Sequence, residues 1–444
     1  MCPAERRDIL KKEREQSTES LNRFKAWEKE PIGYKLIYKY ARFCFRLFYS
    51  NVFVVGKNNI PAGKPVIFAS NHQNALMDPL AILFAADRPV YFLARADIFK
   101  KKFIARILGF LKLMPVYRLR DEVDIIEKDK QVFKATAALL AEGHSLGILP
   151  EGTHTPVKRL SLLKKGICRI AFETVSDSSF NNELLIVPVG IDYSDYEKQG
   201  SDLIVLFGKP IEVIQYYSLY TQNPNKAVSK LRDDLAESIR ALMINIDING
   251  EYEFIHNYSE WSANNSLERL SNEQSVLAKS GENDYGNKKP LKLSIKSGEL
   301  NYERYKLVRE EVEHLKDLYT NERDKYQNLK ENSQFVSSNM ESPSSLSSFT
   351  EKYTSPLKHF VKLVITWIAY LLNFAPFLLA GYFSRNVKDP QFKGTIKYGS
   401  ALLLFPLWYL LLLVVGSIAS GFLTGSLLVL LAISTTLLKL KYTS

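Results

Sequence analysis

The sequence predicts an α/β class domain, a mostly parallel sheet with flanking helices, followed by a helical insert and a C-terminal transmembrane helical region. Three observations carry this. Short apolar runs alternate with helical stretches between residues 52 and 214, the chain then turns polar for about a hundred residues, and its most apolar stretches crowd into the last ninety.

At 444 residues, with 46% hydrophobic content unevenly spread, the chain exceeds one typical domain. Its formal charge of +11 suits an anionic partner: nucleic acid, an acidic bilayer or a phosphorylated substrate. The transmembrane-grade segments favour membrane lipids. Cations cluster beside apolar aromatics rather than on a groove-reading helix, which argues against nucleic acid. Cys2, Cys44 and Cys168 are too few and scattered for a disulfide frame or a metal knuckle, so a reducing cytosolic setting fits. The opening MCPAERRDILKKEREQ lacks the apolar core of a signal peptide.

Residues 1–50 read as a charged tail and a basic amphipathic helix. Lys35, Lys39, Arg42 and Arg46 fall on one stripe, opposite Leu36, Ile37, Tyr40, Phe43, Cys44 and Leu47. Such a helix lies in a bilayer interface or packs on the domain with its basic face outward. Residues 51–250 form the α/β domain, with strands at NVFVVG, PVIFAS, PVYFLA, HSLGIL, ELLIVPVGI and DLIVLFG. A helix over 226–244, apolar along Val228, Leu231, Leu235, Ile239 and Leu242, closes it.

Residues 251–355 are a polar helical insert ending in a Ser-rich linker. Within it Tyr305, Val308, Val312, Leu315, Tyr319, Tyr326 and Leu329 step by threes and fours, broken at Glu322. They make one long helix with a narrow seam, fit for a hairpin or a coiled-coil arm. Residues 356–444 carry apolar stretches at 363–383, 398–415 and 418–438, each near the roughly 20 residues of a spanning helix. Flanking cations place the last two in a hairpin with cytosolic ends. The first is then a re-entrant loop, bending at Asn373 and Pro376, or a third span.

Four blocks carry candidate chemistry. In SNHQNALMDP, residues 70–79, His72 can take a proton from a hydroxyl and Asp78 can hold its other nitrogen. In GFLKLMPVYRLRD, residues 109–121, Arg118 offers a planar cation suited to phosphate. In ILPEGTHTP, residues 148–156, Gly152 can let backbone amides approach an anion, and Glu151 can accept from polyol hydroxyls. In IVPVGIDY, residues 186–193, Pro188 suits an edge strand or a pocket wall. Singly, these blocks are a structural pair, a surface cation, a turn and an edge.

In this order and spacing, NHQNALMDP, the Arg of PVYRLRD, PEGTHTP and VPVGIDY resemble the four motifs of the glycerol-phosphate and lysophosphatidate acyltransferase family, over about residues 50–215. KKGICRIAFE resembles the family's basic stretch after the third motif. The resemblance implies an acyltransferase-type domain with His72 as general base and Asp78 as its orienting partner. It further implies that Asn71, Arg118, Glu151, Gly152, Thr153 and Pro188 contact or enclose substrate.

Two departures stand out. Five residues separate His72 from Asp78 where the family normally has four. On an uninterrupted helix, at roughly 100° per residue, that step puts the pair about 120° apart, so His72 must precede the helix or a bulge must intervene. His154 stands where the third motif usually has Arg, leaving Lys158, Arg159, Lys164 and Lys165 as alternative phosphate cations.

The resemblance implies direct transfer of a fatty acyl group from acyl-CoA or acyl-ACP to 1-acylglycerol 3-phosphate or glycerol 3-phosphate, on the way to phosphatidic acid and phospholipids. An acyl carrier protein is thus one expected partner. No metal and no cofactor beyond the thioester co-substrate is expected. Ser70 lacks the Gly-flanked elbow of a serine hydrolase, which disfavours an acyl-enzyme. The expected location is an integral membrane protein with its catalytic domain on the cytoplasmic side. The competing reading, supported by the His72-to-Asp78 spacing, is a catalytically silent lipid-binding or membrane-organising protein on the same fold.

Overall fold

The computed structural model describes residues 30–116, 125–176, 183–280, 297–337, 356–385 and 387–443. Eight strands form one sheet: β1 (Asn51–Val55), β2 (Val66–Ser70), β3 (Val90–Arg95), β4 (Leu113–Val116), β5 (Ser145–Ile148), β6 (Leu185–Tyr193), β7 (Asp202–Phe207) and β8 (Ile211–Glu212). Their order is β1-β7-β6-β2-β5-β3-β4, with β8 also paired to β6. β2 runs parallel to β5 and β6, β3 to β4 and β5, and β1 to β7, whereas β7 and β8 run against β6. All six runs read as strands are strands.

All five residues of β2 are buried because both sheet faces are covered. Side chains alternate between the faces. Ile67 and Ala69 join Leu146, Ile167 and Leu231 in one cluster, while Val66 and Phe68 join Phe45, Ile82 and Phe207 in the other. The expected closing helix runs over Pro224–Arg240 and buries Val228, Leu231, Leu235 and Ile239.

The placement of Pro188 corrects the edge-strand expectation. β6 lies between β7 and β2, with Pro188 opposite Ala69 of β2. A proline survives there because its other neighbour is interrupted between Phe207 and Ile211, and Gly208 donates its N–H to the Pro188 carbonyl at 2.8 Å. Pro188 thus keeps its bond as an acceptor from Gly208 and lacks only the reciprocal donation, at the point where β7 ends.

The Ile32–Phe48 helix buries Tyr34, Tyr38, Phe45 and Phe48 against the domain, and its Arg42 pairs with Asp87. Leu36, Ile37, Tyr40 and Phe43 remain exposed, so the helix has one apolar face inward and another outward. The neighbouring Lys102–Phe110 helix adds exposed Phe103, Ile104, Ile107 and Phe110, with the Phe110 ring centroid 6.0 Å from that of Tyr34.

The chain divides into two compact units, residues 1–243 with 372–440, and residues 244–371 with 441–443. Residues 372–440 thus belong with the α/β domain. Among the described residues one helix, Pro390–Ser420, is long and apolar enough to cross a membrane. Leu363–Leu372 and Phe374–Arg385 reach that threshold together but are bent by 84° at their break, the bend expected at Asn373. Gly421 interrupts the stretch expected over 418–438, which leaves Phe422–Leu438 as a shorter apolar helix. The Phe374–Arg385 helix lies antiparallel along Lys393–Ser420, with Phe377 on Phe405 and Phe374 on Trp408 at 5.3 and 5.4 Å between centroids.

In the second unit the expected single seam helix is two, Ser297–Asn321 and Arg323–Ser337, broken at Glu322. Tyr305, Val308, Val312, Leu315 and Tyr326 are buried. Arg304 of the first of these helices binds Glu260 and Asn264 of Tyr252–Ser280, making the hairpin form of the insert.

Candidate active site

The site forms where β2 and β5 end side by side, the usual place for ligands in a parallel sheet. β2 stops at Ser70, and six residues intervene before the following helix, Met77–Ala86. His72 therefore sits in a loop ahead of the helix, and the angular conflict of a continuous helix never arises. Its Nδ1 lies 2.8 Å from Asp78 Oδ2. The same oxygen accepts from the backbone N–H groups of Gln73 and Asn74, each at 2.8 Å. Tyr193, at the end of β6, donates its hydroxyl to Asp78 Oδ1 at 2.5 Å.

These contacts fix the tautomer by elimination. Asp78, surrounded by donors, is the acceptor, so Nδ1 carries the proton and Nε2 is the basic nitrogen. Burial, and next the Asp78 charge, push the Tyr193 phenol well above its ordinary value, which keeps it a donor. Asp78 is sealed at 0% exposure, whereas the His72 side chain keeps 16%, so a substrate reaches the imidazole but not its carboxylate.

The third block holds this loop. Glu151 Oε1 accepts from His72 N at 2.7 Å, its Oε2 accepts from Ser161 N at 2.8 Å, and Thr155 N donates to the His72 carbonyl at 3.1 Å. Both main-chain groups of His72 are thus pinned from the β5 side. Burial pushes the Glu151 carboxyl up, and the hydrogen bonds from Ser161 and His72 hold that shift back.

Several expected substrate contacts have other employment. Glu151 is buried with each oxygen on a backbone amide, so it is a strut under His72 rather than a polyol acceptor. Asn71 is buried and exchanges two 2.8 Å hydrogen bonds with the backbone of Ile191, so it ties the β2 end to β6. The Gly152 N–H closes a turn on Leu149 O at 3.1 Å instead of pointing at an anion, and the residue's need is its left-handed φ of 70°. Pro188 is buried and faces the opposite side of the sheet from Tyr193, by strand alternation. Thr153 is exposed beside His154. Arg118 lies outside the described residues. Of the alternative cations, Lys158 is committed to the Tyr193 carbonyl and Asp192, while Lys164 and Lys165 are exposed.

Sequence reasoning missed Tyr193 and a whole wall of the site. The His154 ring lies 5.4 Å from that of His72, with Phe392 edge-on at 5.0 Å and Asp389 Oδ2 3.6 Å from its Nε2. These last two residues immediately precede the Lys393–Ser420 helix, whose Thr395 hydroxyl accepts from Leu76 N at 3.2 Å. Lys393 pairs with Glu197 at 2.8 Å, and Tyr398 donates to Ala41 O at 2.7 Å.

A protein-family model described as Acyltransferase matches residues 51–192. The chain is 30% identical to a 1-acyl-sn-glycerol-3-phosphate acyltransferase of Borreliella burgdorferi over 129 residues, 28% of this chain and 47% of that protein. It is 24% identical to a chloroplastic 1-acyl-sn-glycerol-3-phosphate acyltransferase of Arabidopsis thaliana over 190 residues, 42% of this chain and 48% of that protein. The chain thus spans about half the length of these curated relatives. Among solved structures, the 1-acyl-sn-glycerophosphate acyltransferase of Thermotoga maritima aligns with a TM-score of 0.34 and 17% identity, over 50% of this chain and 89% of that one.

Proposed function

We propose that the chain is a membrane-bound O-acyltransferase acting on a glycerol-phosphate hydroxyl, a reading supported by the Acyltransferase match over residues 51–192 and by the names of its relatives. The observation that carries the reading is the 2.8 Å contact between His72 Nδ1 and a sealed Asp78, which leaves Nε2 basic and reachable. Nε2 takes the proton of the acceptor hydroxyl as its oxygen attacks the thioester carbonyl. Asp78 steadies the imidazolium that forms. The tetrahedral oxyanion then collapses, the C–S bond breaks, and the imidazolium returns its proton to the departing thiolate.

The relatives' names favour 1-acylglycerol 3-phosphate as acceptor over glycerol 3-phosphate. The donor is acyl-CoA or acyl-ACP. Membrane attachment is supported by the Pro390–Ser420 helix and by the outward apolar face shared by Ile32–Phe48 and Lys102–Phe110, with Lys100, Lys101, Lys102 and Arg106 beside it. The silent-fold alternative rested on the six-residue step, and the close His72–Asp78 pair removes that ground.

The test is acyl transfer by wild-type and His72→Ala protein in liposomes, with a labelled acyl-CoA or acyl-ACP and each acceptor offered separately. Transfer to one acceptor that vanishes in the variant is the expected result. A folded wild type that acylates neither acceptor overturns the reading.

A further inference from the structure

The segment leading into the long apolar helix is built against the α/β domain at five points, two of them on the loop that carries His72. Asp389 and Phe392 meet His154, Gly394 packs on Asn74, Thr395 receives Leu76 N, Lys393 and Lys397 hold Glu197, and Tyr398 reaches Ala41. A Cβ at Gly394 would come within 3.3 Å of the Asn74 amide, so the approach uses the space a side chain would need. Asp389 itself is oriented: its Oδ1 accepts from Gln391 N at 3.1 Å, which turns Oδ2 toward His154.

An acceptor whose hydroxyl sits at His72 Nε2 carries its phosphate only a few bonds away. His154, whose ring is 5.4 Å from that of His72, occupies the neighbouring position. With Nε2 of His154 facing Asp389, its Nδ1 is the nitrogen left for the acceptor. Resting on the acyltransferase reading of the site, we propose that His154 is the acceptor-phosphate ligand in its protonated form and that Asp389, from the segment before the membrane helix, is its positioning residue. The arrangement makes acceptor capture depend on the membrane region being seated on the α/β domain.

Four titratable groups decide the pH behaviour. Burial and the His72 ring pull His154 below its ordinary value, while Asp389 and Asp78 pull it up. In the free enzyme His154 is therefore neutral near pH 7, and a bound phosphate dianion favours its protonation. Acceptor affinity is then fully present at low pH and lost as pH rises through the His154 value in the complex. Asp389→Asn keeps the Oδ1 that caps Gln391 but removes the charge facing His154.

The experiment measures KM and kcat for glycerol 3-phosphate and 1-acylglycerol 3-phosphate between about pH 5 and 8, using full-length wild type, Asp389→Asn and His154→Arg in liposomes. Expected is an acceptor KM that rises with pH in the wild type. In Asp389→Asn the rise begins at lower pH, with KM near pH 7 up by about three- to tenfold, the size of half to one pKa unit. His154→Arg flattens the rise that belongs to the protein and leaves the part owed to the acceptor's own phosphate ionisation. KM profiles of Asp389→Asn and His154→Arg that superimpose on an active wild type overturn this inference alone. A wild type that acylates neither acceptor overturns it together with the assignment of the reaction.

Discussion

The loops after β2 and β5 lie side by side and divide the labour of the site unequally. The β2 loop presents His72 with part of its ring open, while the β5 loop contributes a buried Glu151 and the Thr155 amide, both spent on the His72 main chain. A charged residue in a motif is thus no guide to whether it meets substrate. What separates the two is whether any polar atom remains after the backbone has been satisfied.

That division predicts different signatures for substitutions in the two loops. His72→Ala removes the proposed general base, and kcat is expected to fall roughly 10²–10⁴-fold, with the melting temperature of the purified protein little changed. A mere tenfold fall would put proton transfer elsewhere. Glu151→Gln should show the reverse balance. Its amide can still accept from one N–H, but the other position now presents a donor to a donor, His72 N or Ser161 N. The buried mismatch is expected to cost about 1–3 kcal/mol of stability in chemical denaturation. Its effect on kcat should be smaller than that of His72→Ala and should arise through a loosened loop. Full stability with abolished binding of acceptor would return Glu151 to the substrate side of the comparison.

The contrast also explains what could be read in advance. The His72–Asp78 pair was legible because both members lie in one short polar turn between an apolar strand and an apolar helix. The six strands were legible from their apolar runs. Tyr193 and Glu151 act across 115 and 79 residues of chain, so their roles follow from which strands become neighbours, a result of sheet order that no local pattern encodes. Pro188 was misplaced because the interruption between β7 and β8 that tolerates it is invisible from its own strand. The helix through Glu322 read as continuous because the apolar steps resume beyond that one polar position, whereas the helix itself ends at Asn321 and restarts at Arg323. Asp389 and Phe392 lie in a connector between apolar helices, and their meeting with His154 depends on tertiary packing alone.

Tyr193 sharpens the comparison further, because it supports the chemistry from a third strand. Tyr193→Phe keeps the ring among its neighbours and removes one donor from Asp78 Oδ1, while His72, Gln73 and Asn74 still hold Oδ2. The expected loss is about 1–2 kcal/mol of stability, measured by denaturant titration, with a fall in kcat well short of that for His72→Ala.

The smallest effect belongs to Gly152, and it separates backbone need from ligand contact. An added Cβ would meet the Lys164 side chain at 3.4 Å, ordinary contact with a flexible chain, so steric crowding is not the issue. The φ of 70° is, and alanine there is expected to cost about 1 kcal/mol. If the amide of Gly152 served an anion, Gly152→Ala would raise the acceptor KM beyond what the stability loss explains. Because that N–H already closes the turn onto Leu149, the expected outcome is a lower melting temperature with KM unchanged, measured on the same preparation.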